Sequence, residues 1–584
     1  MKQIFCPVPD RELGRVIGRT LLILLIACAT VGCESSGDGE NGVVDPDVMV
    51  ATGVVALDDR SLAAARLLTR ASFGASDTAL RDVLSFENHA AWVDAQIALP
   101  TSLQLPYTQA NSNGSNGRAR HEIWWANAIE APDQLRQRVA FALSEIFVVS
   151  DLDYTLSNSQ YGMASYYDML ASGAFGTYRE LLEAVTLHPV MGIYLSMVRN
   201  EKANPARNVR PDENYAREVL QLFSIGLHQL DRGARPVPVD DPAPAYTQEI
   251  VEEYARVFTG WNFANTDQWV SADMTPFDKV TPMVPVETYH DTGAKSLLNG
   301  MILPANGGAR ADLEGALDSI AAHPNVAPFF SRRLIERLVT SNPSPGYVSR
   351  VAAVFDDDGR GIRGNLAAVV KAILLDSEAQ SDGNGVADFG KLNEPVMRLT
   401  SLMRALDARP GLQANGVYHG ATRSADRVDE VYGQGVMRSP SVFNFFQPES
   451  RALTGGIGED GLPLVAPERQ ILTEAVIASA NNDMHQLVYN HHSRAGANDN
   501  TVVLDIEKPL ALLTSNTEDW VDWLELVVLG GHMSPALRQT LTDYIEERTG
   551  PAGTALLSID TELALTLVLD TLYLTTASPD HLVQ

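Results

Sequence analysis

Between positions 132 and 149 the apolar residues Leu135, Val139, Ala142, Leu143 and Ile146 recur at steps of three and four. That spacing lays them along one stripe of an α-helix, which turns once in about 3.6 residues, and it does not fit a half-buried strand, whose side chains alternate. The same texture begins near Ser61 and returns over 78–86, 90–99, 121–129, 178–187, 213–230, 249–258, 311–322, 327–339, 366–375, 395–406, 468–480, 520–529 and 556–573. Alternating patterns are scarce, and no repeat of fixed period is visible. The spacing therefore predicts a mainly α protein: a large multi-helix domain with long loop insertions and few short strands.

The chain has 584 residues, and at about 150 residues per domain its length alone would suggest several domains. The unbroken helical texture points instead to one unit over 61–584, with irregular insertions near 262–306 and 413–464. A 45% hydrophobic composition gives such a unit enough apolar surface for a large core. Against 44 Lys and Arg stand 73 Asp and Glu, a net charge of -29. No nucleic-acid partner is expected, because phosphate contacts need a basic surface.

The N-terminal segment reads as an address. Lys2, Arg11, Arg15 and Arg19 precede an apolar run from Leu21 to Ala29, too short for a mature span, which needs about 20 residues. Residues 1–32 have the organisation of a lipoprotein-type signal peptide, with Cys33 as the lipidated residue. Leu25-Ile26-Ala27-Cys28 is the competing site; it would leave a shorter apolar run, and Cys33 is preferred on that ground. Residues 33–60 follow as a flexible tether, with acids at 34, 38, 40, 45, 47, 58 and 59. The expected location is the cell envelope, with the membrane touched through the lipid anchor only.

All three cysteines, Cys6, Cys28 and Cys33, lie in this segment. A disulfide framework, a cysteine metal site and a cysteine nucleophile are thereby excluded from the body of the protein. Familiar motifs fail on inspection. Gly385 to Leu392 follows the phosphate-loop pattern, but Leu392 stands where a hydroxyl should bind magnesium. Asp356-Asp357-Asp358-Gly359-Arg360-Gly361 resembles a calcium loop, yet Arg360 occupies a ligand position and Ala367 the twelfth, so a simple turn is expected.

The densest polar motif is Pro211-Asp212-Glu213-Asn214-Tyr215-Ala216-Arg217-Glu218. Pro211, Asp212 and Glu213 suit a helix start. On helical geometry Tyr215, Val219, Leu222 and Phe223 form an apolar stripe, and Asn214, Arg217, Glu218 and Gln221 lie opposite. Either this is a solvated face with a Glu213–Arg217 pair, or a buried polar wall in which Arg217 poises Glu213 or Glu218 for acid–base or metal work.

This motif, followed by Tyr246-Thr247-Gln248-Glu249, Ala255-Arg256-Val257-Phe258-Thr259-Gly260-Trp261, His290-Asp291 and Lys295, resembles the bacterial "domain of unknown function 1800" family. Leu67-Leu68-Thr69-Arg70-Ala71-Ser72-Phe73-Gly74 and His188-Pro189-Val190-Met191 match its N-terminal half. Asp212 stands where asparagine is commoner. The resemblance implies a large secreted, mostly helical bacterial protein, often encoded beside another exported family; it implies no established reaction.

The shared pattern suggests that His290, Asp291 and Lys295 converge with the 213–218 helix. In a catalytic reading His290 is a general base or metal ligand, Glu213, Glu218 or Asp291 supplies a carboxylate, and Arg217 or Lys295 steadies an anion. Asp212, Asn214 and Trp261 would touch substrate, and a divalent cation on oxygen and nitrogen ligands is a further option. Trp124-Trp125 reads as core before sugar platform, and His491-His492 as a solvated turn before a metal site. Two functions follow as expectations. One is an envelope hydrolase acting on a polymer or other envelope component; the other is a non-catalytic scaffold that binds an exported partner protein or surface polysaccharide.

Overall fold

Asp58 and Ser61 close a reciprocal cap at the first helix. The Asp58 carboxylate accepts the Ser61 amide at 2.7 Å, and the Ser61 hydroxyl accepts the Asp58 amide at 2.9 Å. Helix α1 therefore spans Asp59–Ala71, so the last acids assigned to the tether belong to a helix start. The computed structural model describes residues 55–266, 268–269, 278–381, 389–410, 428–453, 455–458, 461–495 and 502–583. The expected signal peptide, Cys33, most of the tether, 385–388 and much of 413–464 lie outside the described residues.

The protein is mainly α. Helix α2 (Gln134–Ser144) is buried along its whole length and forms the axis of the core. Around it and beyond lie α3 (Asn214–Gln221), α4 (Gln248–Val257), α5 (Ala309–Ala321), α6 (Val326–Leu338) and α7 (Pro395–Ala405). α6 packs on α2, and α4 packs between α3 and α5. One continuous apolar cluster runs from Val55 to Leu572, and the described body forms one unit. No helix among the described residues is long and apolar enough to cross a membrane.

Strands are few and short. β1 (Trp261–Asn262) pairs with β2 (Val284–Pro285), β3 (Lys295–Ser296) with β4 (Ile302–Leu303), and β5 (Arg409–Pro410) with β6 (Val502–Val503), all antiparallel. The first two pairs fall in the insertion expected near 262–306.

Buried arginines tie the helices together. Arg404 on α7 donates to Gly74 O at 2.8 Å and to Ile129 O at 2.6 Å, the second a carbonyl in the last turn of the helix Arg118–Glu130. The close approach depends on Gly74, whose φ is +125°: a Cβ there would stand 2.5 Å from Ser401 Cα. The Leu67–Gly74 sequence motif is thus a packing device.

Some expected helices end elsewhere. The 213–230 helix stops at Gln221, because the Ser224 hydroxyl bonds Val219 O and the Ile225 and Gly226 amides fold back onto Leu220 O. Gly226 then takes φ +78°, a left-handed ending, with a would-be Cβ only 2.9 Å from the Phe329 ring, so any side chain there would be strained and would push on that ring. The 468–480 stretch becomes a short turn followed by a helix over Glu474–Asn490, capped by Thr473. The 556–573 stretch breaks before Asp560, which caps a separate helix over Thr561–Ala577. The 356–361 sequence is a turn, as expected: Asp357 Oδ1 accepts the Gly359 and Gly361 amides and Asp358 Oδ1 those of Arg360 and Ile362.

Candidate functional site

The start of α3 is a solvated clamp. Asp212 and Asn214 are exposed, and the Asp212 carboxylate accepts the Asn214 amide at 2.8 Å. Glu213 Oε2 lies 2.9 Å from Arg217 Nη2 and accepts from Gln248 Nε2 at 2.8 Å, while Arg217 donates to Gln248 Oε1 at 3.2 Å. Arg217 and Glu213 keep 42% and 36% of their side-chain surface in water. The trio fastens α3 to the first turn of α4.

Glu218, the next residue along α3, behaves differently. It is 8% exposed, and its Oε2 has no hydrogen-bond partner. Burial raises its pKa, and the Arg217 charge only partly opposes this. The buried Tyr246 hydroxyl is also unpartnered; burial pushes Tyr246 up to about 12, with Arg217 lowering and Glu218 raising it.

His290 and Lys295 sit in a closed knot. Both ring nitrogens of the fully buried His290 face acceptors: Nδ1 lies 2.9 Å from Thr259 O and Nε2 3.1 Å from Asp312 Oδ2. Lys295 Nζ donates to Asp312 Oδ2 at 2.5 Å, Asp291 O at 2.5 Å and Gly293 O at 3.0 Å, which uses all three of its protons. The Asp291 carboxylate receives Arg256 Nη2 at 2.9 Å and Nε at 3.2 Å. Burial works to raise the Asp291 pKa, but the Arg256 hydrogen bonds outweigh it and hold the group below the ordinary carboxylate range.

These two groups do not converge. Gln248, at the first turn of α4, touches Glu213 and Arg217; Arg256, near its last, holds Asp291. Eight residues at about 1.5 Å rise put roughly 12 Å of helix between them. Among the described residues no hydrogen bond joins 212–218 to 290–295, and no group of three or more His, Asp and Glu is placed to hold a metal ion. Trp261 is 1% exposed in β1 and stands in the core, where no sugar ring reaches it. Trp124 and Trp125 are core residues too, edge to face at 5.0 Å. His491 and His492 are buried rather than solvated, and His492 Nδ1 accepts the Arg494 amide at 3.2 Å.

The opening that the sequence did not reveal is a cavity of about 500 Å³. It lies between α6, the turn after α3, residues 442–449 and residues 462–465, with Glu145, at the end of α2, among its lining residues. Arg332 and Arg333 pair with Glu336 at 2.9 and 2.7 Å, and Arg333 also reaches Glu449 at 2.7 Å. Arg337 stacks over Phe446 at 4.6 Å, yet its Nε and Nη1 have no hydrogen-bond partner, and Glu145 Oε2 lies 3.7 Å away. Behind Glu145 is Glu394, which takes Lys391 Nζ at 3.1 Å and Gln434 Nε2 at 2.5 Å. Burial and the Glu394 charge raise the Glu145 pKa; for Glu394 burial is outweighed by Lys391, and its pKa is lowered. The one signal in the sequence was an acid set in the apolar run Ile146-Phe147-Val148-Val149.

No characterised protein and no solved structure matches the chain. The family model described as "Protein of unknown function (DUF1800)" matches residues 66–583, which takes in the 67–74, 188–191, 211–218 and 290–295 motifs. On that match, the chain belongs to the DUF1800 family of proteins of unknown function.

Proposed function

We propose that this is an exported, lipid-anchored protein of the bacterial envelope, whose helical body binds an envelope component or exported partner without turning it over. One observation carries the choice between binding and hydrolysis. The histidine and lysine nominated for catalysis are closed off by Asp312, Thr259 and main-chain carbonyls, with no free nitrogen left for a substrate. A general base needs its proton-accepting atom within reach of a reacting group, and such a saturated pair serves better to fix the loop at residues 290–295. The signal-like N-terminus and the strong acidic excess support export and the absence of nucleic acid among its partners.

A second reading, the hydrolase, keeps one specific support: the buried Glu218 oxygen without a partner, on a carboxyl whose pKa is raised, has the character of a general acid. An activity screen of the purified full chain against envelope polymers, run beside capture assays with exported proteins and surface polysaccharide, separates the two. Binding without turnover is the expected result. Turnover that disappears in Glu218→Gln would replace the binding reading with the hydrolase.

A further inference from the structure

The cavity beside α6 combines features that differ in what they ask of a ligand. Its walls are apolar: Ile146, Leu222, Leu230, Phe329, Val442 and Val465 line it, and at its mouth Leu227 and Phe443 expose 52% and 41% of their surface to water. Its volume, about 500 Å³, lies in the range of small-molecule sites. Among its charged lining residues, Arg337 is 2% exposed, and its Nε and Nη1 make no hydrogen bond, the nearest carboxylate oxygen being Glu145 Oε2 at 3.7 Å from Nε. Buried guanidinium donors left open cost free energy, and a native site usually fills them.

The neighbours of that guanidinium are charged as well. Arg138, Arg337 and Lys391 face Glu145, Glu394 and Glu468: Arg138 donates to Arg337 O at 2.7 Å, and Lys391 lies 3.1 Å from Glu394 and 3.4 Å from Glu468. Burial and the Glu394 charge raise the Glu145 pKa, which weakens Glu145 as the anionic neighbour of Arg337. Arg332 and Arg333 are already engaged by Glu336 and Glu449. An anion delivered to Arg337 would give its unbonded N–H groups acceptors, and in a buried setting a charge must arrive with such hydrogen bonds. A small inorganic anion would leave the apolar walls and the open mouth unfilled, and a neutral hydrocarbon would leave the Arg337 donors without hydrogen bonds.

We propose that this cavity binds a single-chain anionic amphiphile, its oxyanion head against Arg337 and its hydrocarbon body along Leu222, Phe329 and Val442. The inference rests on the binding reading above and adds the ligand class. A carboxylate and a phosphate monoester share the required chemistry, and either would suit a protein held at a lipid surface.

The test is calorimetric titration of the full chain, with Cys28→Ser and Cys33→Ser so that it is not acylated and needs no detergent. The probes are dodecanoate, dodecyl phosphate, dodecanol, dodecyltrimethylammonium and acetate. One site of saturable binding is expected for dodecanoate, dodecyl phosphate or both, at least tenfold tighter than dodecanol, with acetate and the ammonium amphiphile silent. The better of the two anions names the head group. Leu222→Trp, which fills the cavity from its wall, is expected to abolish the binding with little change in melting temperature. Arg337→Met is expected to bring dodecanoate down to the affinity of dodecanol. Equal binding of dodecanol or the ammonium amphiphile would overturn the proposal, as would binding unaffected by Leu222→Trp or no saturable binding of any probe. If amphiphiles fail while a polysaccharide or exported protein still binds, only this inference falls. Turnover of an envelope polymer would instead sink the reading beneath it.

Discussion

Lys295 Nζ lies 2.5 Å from Asp312 Oδ2, and both side chains are almost wholly shielded from water. The pair joins the short β3–β4 insertion to the first turn of α5, with His290 bonded to the same carboxylate. Removing one partner of such a pair strands the other as a buried charge, at a cost of about 3–5 kcal/mol. Lys295→Met is therefore expected to lower unfolding stability by ~3–5 kcal/mol in urea titrations. The material that stays folded should bind ligand as wild type does. A stable Lys295→Met protein that has lost function would return Lys295 to the active machinery.

The Glu213–Arg217 pair should behave in the opposite way, although it stands at the centre of the family motif. Its side chains are more than a third exposed, and ion pairs of this spacing on solvated helices contribute little. Arg217→Ala is expected to cost roughly 0.3–0.5 kcal/mol, and less at high salt. A loss of several kcal/mol would mean that Arg217 has a buried role that its exposure does not suggest.

How much of this was legible beforehand depended on whether a helix shows two different faces. Tyr178–Leu187 and Leu366–Leu375 fall where their apolar spacing put them, and each has one buried side. The helix Gln160–Gly173 was missed because it is buried on most sides, so tyrosines, small residues and Asp168 crowd it without a stripe. Pro535–Thr549 was missed for the converse reason: only Leu541, Ile545 and Thr549 are buried, too few to stand out. Helix ends depended on local competition, such as Ser224 turning onto Val219 O, which periodicity does not register.

The site was harder to read than the fold. Spacing could place Glu213 beside Arg217, since both lie on one helix. It could not pair Lys295 with Asp312, or set Glu145 near Arg337 and Glu394, because those neighbours are brought together by tertiary packing across long stretches of chain. The shared motifs marked residues that hold the architecture, and the cavity lies largely among residues those motifs do not include.

Glu218 is the motif residue whose environment asks for more than packing. Its pKa is raised in the fold, so the folded protein binds the proton more tightly than the unfolded chain. That difference favours folding below the ordinary glutamate pKa, and stability is lost as pH rises through the unfolded value towards the folded one. At neutral pH Glu218→Gln, which removes the buried charge, should therefore raise the urea midpoint, with the gain shrinking towards pH 4. A Glu218→Gln protein that is less stable at pH 7 would show that the carboxylate has a partner worth keeping.

His188 supplies the sharpest pH dependence. Its Nδ1 accepts the Val190 amide at 3.3 Å, capping the helix Pro189–Tyr194, and the ring meets Tyr166 edge to face at 5.1 Å. An accepting Nδ1 carries no proton, so the ring is neutral. Burial lowers its pKa to about 3, with Asp278 opposing weakly. The unfolded chain thus takes up a proton near the ordinary histidine pKa of about 6.5, and the folded chain does not until about 3. The stabilisation is complete above that upper value and is lost as pH falls through the window, by up to about 1.4 kcal/mol per pH unit. His188→Asn keeps a side-chain acceptor for the cap and removes the titration. It should flatten the fall in urea midpoint between pH 6.5 and 4 without abolishing it, because His581 is also held at about 3 by burial. Identical slopes for wild type and His188→Asn would show that His188 stays protonated in the fold, and its capping role would then have to be given up.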